Sequence, residues 1–288
     1  MSDIDCILDA KAATGESPVW ALEEGALYWI DIGAPALHRL DPATGATRRW
    51  DMPQAIGAFA LMRGGRALVA LRSGLSVLDL ASGRLELRAA PPYDPAQCRF
   101  NDGRCDRSGR FWVGALRESG AGTVGLYRFD AGGLVEEAGG IGQANGVAFS
   151  PDGRLLYHAD TKARTIYAYR FDRAQGGIAD RRVFARTERG KPDGAAIDEE
   201  GCYWSACHGA GLLARYRPDG TLDREIALPV SQPTMMAFGG ARLDQLFVTS
   251  ERRGLDAAQL AREPLAGGVF RLEPGVRGLP EPMFEPQA

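Results

Sequence analysis

One unit recurs six times along this chain, and its period leaves few folds open. Each copy is a small apolar run, a turn built on Asp or Glu and Gly, and a second run rich in aromatic and β-branched residues. The copies read SPVWALEEGALYWIDI (17–32), GAFALMRGGRALVALR (57–72), GRCDRSGRFWVGAL (103–116), GVAFSPDGRLLYHAD (146–160), GAAIDEEGCYWSACH (194–208) and TMMAFGGARLDQLFVTS (234–250). Their second runs begin near Leu27, Leu68, Phe111, Leu156, Tyr203 and Leu246, so successive copies are offset by 41, 43, 45, 47 and 43 residues.

Every copy continues into a third short run, and most into a fourth, bounded by PATG, ASG, AGG, PDG or EPG turns. Alternating runs of this length between such turns are strands in hairpins. Four antiparallel strands per unit, six times over, predict an all-β, six-bladed propeller. Sandwich strands would not repeat one motif at this period, and solenoid repeats are shorter. The last unit has a poor fourth run, while Ile4–Ala10 precedes the first unit without a place of its own. Pairing that N-terminal strand with the last blade closes the ring and removes two exposed edges. No linker interrupts the series, so residues 1–288 read as one domain.

Inner strands of a propeller run along its axis, so equivalent positions at their starts converge on one channel mouth. Those positions hold Glu16, Ile56, Asn101 with Asp102, Asn145, Asp193 and Thr234. Asn-Gly and Asp-Gly pairs are also ordinary turn chemistry, whereas Glu16 has no turn preference. Glu16, Asn145 and Asp193 supply two carboxylates and one neutral carbonyl oxygen. Hard donors of this kind suit Ca²⁺ best, or Mg²⁺ or Mn²⁺, with Zn²⁺ less favoured. Without a cation, two clustered carboxylates repel and one shifts toward its protonated form. Second strands run antiparallel to the first, so their ends, at Arg72, Arg117, Glu118, Asp160, His208 and Glu251, rim the same mouth. His208 adds a group that titrates near neutrality. Trp29, Trp112, Tyr157 and Trp204 recur at one repeat position, which predicts packing between blades.

Composition narrows the remaining options. The formal charge is −3 with acids and bases interspersed, so no basic stripe suits nucleic acid. The start Met1-Ser2-Asp3-Ile4-Asp5 has neither a basic nor an apolar leader segment, and no run approaches a membrane span, which predicts a cytoplasmic protein. Five cysteines, Cys6, Cys98, Cys105, Cys202 and Cys207, include no CxxC pair, and the histidines His38, His158 and His208 lie far apart. Reduced thiols and an oxygen-donor metal site follow, rather than disulfides or a Cys/His zinc site. There is no GxSxG elbow for a serine nucleophile.

The stretches GESPVW, LYWIDI, RFNDG followed by DRSGRFWVG, ANGVAFSPDGRLLYHADT, PDGAAIDEEGCYW, AFGGARLDQLFVT and LAGGVFRL together resemble the SMP-30/gluconolactonase/regucalcin-like family across nearly the whole chain. The resemblance implies a divalent-metal-dependent lactonase acting on a small sugar lactone, as a monomer or weak homo-oligomer. It implies that Glu16, Asn145 and Asp193 are the metal ligands, and that Arg99 and Asn101 touch substrate. Vertebrate members carry a substrate-touching Glu where Ser119 aligns here, which makes its neighbour Glu118 the candidate contact. Asp193 is the expected general base, with the metal and Asn101 stabilising the oxyanion. A phosphotriesterase or arylesterase activity on the same ion site, and a non-catalytic calcium-binding regulatory propeller, are the alternatives.

Overall fold

Aspartates nucleate the outer hairpins. Asp41, Asp79, Asp130, Asp172 and Asp219 each accept a backbone N–H two residues on, at 2.8–3.1 Å, and so turn the chain between the third and fourth strands of five blades. The computed structural model describes residues 4–285, and these form six four-stranded antiparallel sheets. In five sheets the strands follow chain order from the axis outward, starting with Gly15–Ala21, Ile56–Met62, Cys98–Cys105, Ala144–Phe149 and Lys191–Ile197. The sixth runs Pro233–Gly239, Gln245–Ser250, Val269–Leu272 and then Asp5–Leu8.

The fold is therefore the six-bladed propeller that the repeats predict, with the N-terminal strand closing the last blade. Asp5 pairs with Arg271 and Cys6 with Phe270, so the two chain ends share one sheet. Consecutive inner strands touch around a closed ring, including the last against the first. Blade six also contains the helix Ala257–Arg262, started by a reciprocal capping box between Asp256 and Gln259. The repeat pattern has no counterpart for it. Among the described residues, no helix is long and apolar enough to cross a membrane.

Aromatic residues at the repeated position fill the wedges between blades. Trp112 packs edge-on to Phe149 and Phe171 of the next blade, Tyr157 meets Tyr203, and Trp204 meets Phe238. The Asp of the inner turn holds these rings in place. Asp106 accepts from Trp112 Nε1 at 3.0 Å, and Asp198 from Trp204 Nε1 at 2.8 Å. Each fully buried carboxylate is also paired with a guanidinium, Arg110 or Arg215. All five cysteines are free thiols, four of them buried.

Beyond Leu272 the chain crosses the face opposite the predicted mouth. Gly278 N–H donates to Leu243, Phe284 N–H to Leu61 and Glu285 N–H to Gly109, which ties the segment to blades six, two and three. Glu281 pairs with buried Arg104 at 2.9 Å, and Phe284 stacks on Phe129 while only 3% exposed. The axis is thus covered at this end. Replacing a buried aromatic by Ala typically costs about 3–5 kcal/mol through lost burial and the cavity left behind. Phe284→Ala should therefore lower the urea unfolding free energy by roughly 3 kcal/mol; a loss below ~1 kcal/mol would show that this segment adds little to the core.

Candidate active site

A regular strand projects its side chains alternately onto its two neighbouring blades, so it offers nothing to the axis. All six inner strands break that register near their starts. The breaks lie between Glu16 and Val19, Ile56 and Ala58, Phe100 and Gly103, Asn145 and Ala148, Pro192 and Ala195, and Pro233 and Met235. An extra residue in one strand re-aims the side chains around it. The Asn-Gly and Asp-Gly pairs, which as sequence also read as hairpin turns, therefore lie within strands at these breaks. Gly146 sits at φ +58° with the Tyr203 hydroxyl where a Cβ would stand, so only glycine fits there.

Hydrogen bonds between adjacent inner strands then knit the mouth. Ser17 Oγ reaches the Gly57 carbonyl at 3.5 Å, Val147 N–H donates to Asp102 at 3.1 Å, Tyr203 donates to the Gly146 carbonyl at 2.8 Å, and Thr234 donates to the Gly15 carbonyl at 2.5 Å. One chain of contacts crosses three blades. Arg99 Nη1 donates to Asn101 Oδ1 (2.8 Å), Asn101 Nδ2 to Asn145 Oδ1 (2.6 Å), Asn145 Nδ2 to Thr161 Oγ1 (2.7 Å), and Thr161 to the Pro192 carbonyl (2.8 Å). Its ends are unambiguous, because a guanidinium can only donate and a carbonyl can only accept. Both carboxamides therefore have one permitted orientation, and Asn145 presents its oxygen away from Thr161.

Glu16 is buried, and among the described residues its carboxylate accepts one hydrogen bond, from the N–H of Ser17 at 2.7 Å. Asp193 is surrounded by protein but keeps a partly exposed surface, and among the described residues nothing donates a hydrogen bond to its carboxylate. Burial, then the negative charges of Asp193 and Asp102, raise Glu16 well above the usual carboxylate range. Burial likewise pushes Asp193 up to about 7, with Asp102 and Glu251 adding to the shift and the nearby His208 and Arg99 opposing it. Asp102 is 2% exposed, and among the described residues its Oδ1 has no partner. Among the described residues no three His, Cys, Asp or Glu side chains cluster as a metal site. The predicted set contains only two such groups, with Asn145 as its third donor.

Four of the six predicted rim residues fall into two ion-paired groups, while Arg117 donates to Gln97 and Asp160 accepts from the backbone N–H groups of Gly142 and Gln143. Glu118 accepts from Arg99 Nε at 3.0 Å and from Arg72 Nη2 at 2.6 Å. His208 Nε2 meets Glu251 at 2.9 Å, and Thr14 and Arg253 hold the other oxygen of Glu251 at 2.8 and 3.0 Å. Burial opposes protonation of His208, but the Glu251 hydrogen bond and the charges of Asp193 and Glu251 outweigh it and raise its pKa. The structure thus places Arg99, Asn101 and Asn145 in one connected chain and couples Glu16, Asp193 and His208 through charge. Thr161, which fixes Asn145, is absent from the sequence expectations; its place after Asp160 at the end of a second strand was the available signal. Cys98 and Cys105 are buried in the core of blades two to four, and burial drives the Cys105 thiol well up, away from a thiolate.

Comparison with known proteins identifies the family. Residues 14–252 match the sequence model of the SMP-30/gluconolactonase/LRE-like region. The chain is 44% identical to a 6-deoxy-6-sulfogluconolactonase of Pseudomonas putida, covering 98% of each. It is 36% identical to an L-arabinolactonase of Azospirillum brasilense, over 92% of this chain and 89% of the relative. Among solved structures, the calcium-binding protein regucalcin from Agrobacterium tumefaciens superposes with a TM-score of 0.93 at 31% identity, covering 97% of this chain and 96% of the other. With its six repeats, its closing strand and the polar residues at its register breaks, this chain belongs to the SMP-30/gluconolactonase/LRE-like family.

Proposed function

We propose that this protein is a divalent-cation-dependent hydrolase that opens a sugar lactone to its aldonic acid. The observation that supports the cation best is the pair of acids on one axis. Burial and then the charge of Asp193 raise the proton affinity of Glu16, and among the described residues neither acid has a cationic hydrogen-bond partner, while Asn145, at the equivalent position of another inner strand, presents a carbonyl oxygen of fixed orientation. Two carboxylates and one carboxamide oxygen fit a hard cation such as Ca²⁺. The relatives whose names state a lactone substrate support the reaction class.

Glu16, Asn145 and Asp193 would hold the ion, which when bound supplies Lewis acidity toward a carbonyl oxygen and lowers the pKa of water. Asp193 acts as general base, because its carboxylate is committed to no donor and keeps access to solvent. Arg99 and Asn101 orient the lactone, and Asn101 Nδ2 donates toward oxygens near the Asn145 end of the chain. Glu118 steadies Arg99 by dividing its two oxygens between Arg99 and Arg72. His208, held by Glu251, stands close enough to Asp193 to influence its charge and contributes to the substrate side of the mouth.

Turnover of an aldonolactone panel, followed by acid release after chelation and with single metals restored, tests this reading. Hydrolysis should vanish on chelation and return with a divalent ion. Asp193→Ala should reduce it by more than about a hundredfold, whereas Cys105→Ala should change it little. Full activity of Asp193→Ala would discard the mechanism. Cation binding without hydrolysis of any lactone would favour a calcium-binding regulator, and preferred turnover of aryl esters or organophosphates would move the substrate class.

Two further outcomes test the ion site itself. Thr161→Val removes the acceptor that orients Asn145, and calorimetric affinity for Ca²⁺ should fall about tenfold or more; unchanged affinity would detach Asn145 from the ion. The second concerns stability. A carboxyl whose folded pKa is raised stabilises the fold fully below its unfolded pKa, near 4, and loses that contribution as pH rises through the folded value, about 7 for Asp193. In chelator, Asp193→Asn should therefore melt above the parent protein by a margin that widens from pH 4 to pH 7. Saturating Ca²⁺ should close or reverse that margin. A margin independent of pH would remove the electrostatic argument for the ion.

A further inference from the structure

Three guanidiniums stand around the mouth of a chain whose formal charge is −3, so the cationic rim is a local feature. Arg72 follows the second strand of blade two, Arg99 opens the inner strand of blade three, and Arg253 follows the second strand of blade six. Their two acidic partners, Glu118 and Glu251, do not neutralise all three. Glu118 is divided between Arg72 and Arg99, which leaves that trio with one net positive charge. Glu251 is divided between Arg253 and His208, which is neutral or positive depending on its proton. The deeper carboxylates Glu16 and Asp193 are the groups assigned above to the cation, which offsets them.

Arg99 carries the sharper observation. Its residue is 4% exposed, its Nε donates to Glu118, and its Nη1 donates to the Phe100 carbonyl and to Asn101. Among the described residues nothing accepts from Nη2, and that nitrogen keeps accessible surface at the start of the inner strand, the end that forms the mouth. Beside it, Arg72 uses Nη2 on Glu118 and Nη1 on the Pro95 carbonyl at 3.2 Å, with its side chain 29% exposed. Two adjacent guanidiniums fixed by one shared carboxylate and retaining free N–H groups make a preorganised anion cradle. The charges of both Arg72 and Arg253 reach Arg99.

We infer that this mouth selects lactones carrying a second, anionic group at the end of the molecule away from the reacting carbonyl, bound by Arg99 Nη2 and Arg72. The inference rests on the lactone-hydrolase reading. Carboxylate, sulfonate and phosphate share the chemistry that two guanidiniums recognise, and the substituted substrates below separate them.

The test uses the metal-loaded full chain and compares kcat/KM for gluconolactone with that for lactones bearing a terminal carboxylate, sulfonate or phosphate. At least one anionic substrate should exceed the neutral one by about tenfold or more at low salt, and the ratio should narrow as salt screens the rim. Arg72→Gln should bring that ratio toward unity, and Arg72→Lys should restore part of it, because charge returns without the planar fork. Equal kcat/KM for neutral and anionic lactones overturns the inference and leaves the hydrolase reading standing, as does an unchanged ratio in Arg72→Gln with an unchanged melting temperature. Should Arg72→Gln fail to fold, the salt dependence of the parent ratio and the Arg72→Lys variant decide. No turnover of any lactone removes both readings.

Discussion

The register break at the start of each inner strand is the constraint on which the rest of this molecule depends. A propeller brings six strand edges to one axis, but unbroken pleating would send every side chain into the neighbouring blade. Displacing the pairing between Glu16 and Val19, and at the five equivalent points, frees polar residues to meet one another across blades. The displacement leaves backbone groups without ladder partners, and contacts such as Tyr203 to the Gly146 carbonyl and Thr234 to the Gly15 carbonyl satisfy them. The same bonds lock blade to blade, so site geometry and ring integrity are set by one set of contacts.

Electrostatics gives that geometry its direction. Interiors of this kind pair their charges where no ligand is expected: Asp106 with Arg110, Asp198 with Arg215, Glu281 with Arg104. Among the described residues Glu16 and Asp193 are not bonded to a cationic side chain while both are ringed by protein, and buried Asp31 and Asp102 likewise accept only from backbone N–H groups. What sets Glu16 and Asp193 apart is their position at the starts of inner strands together with the charge that Asp193 exerts on Glu16, which supports the proposed cation. The oriented chain from Arg99 through Asn101 and Asn145 to the Pro192 carbonyl serves the same end, since it turns an amide that could face either way into a fixed oxygen donor.

Much of the fold was legible because each blade solves the same packing problem with the same residues. A Trp or Tyr fills the wedge between blades, and where that residue is Trp112 or Trp204 an inner-turn Asp accepts from its ring; a further Asp starts most outer hairpins. The closing role of Asp5–Leu8 was legible as a surplus strand matching a missing one. What the one-dimensional pattern could not separate was a bulge from a turn, since Gly146 suits both through its left-handed backbone. Helix Ala257–Arg262 and the segment across the far face had no repeat to announce them. Thr161 and Arg72 act on Asn145 and Glu118, 16 and 46 residues away in sequence. Their roles are created by contacts the chain makes only once the ring is closed.

Inner and outer shells of the mouth therefore carry opposite charge for connected reasons. The inner shell carries Glu16 and Asp193, whose proton affinities burial raises, and in their ionised form they would repel any anion. In the proposed reading a cation at the inner shell would cancel that field at short range, leaving the guanidiniums of Arg72, Arg99 and Arg253 to set the sign met by a ligand approaching from solvent. Their partners Glu118 and Glu251 hold the side chains in place without neutralising the group. Such a rim above a neutralised floor would draw an anion in without trapping it at the acids, because contacts at the partly exposed Arg72 and Arg253 are screened by salt.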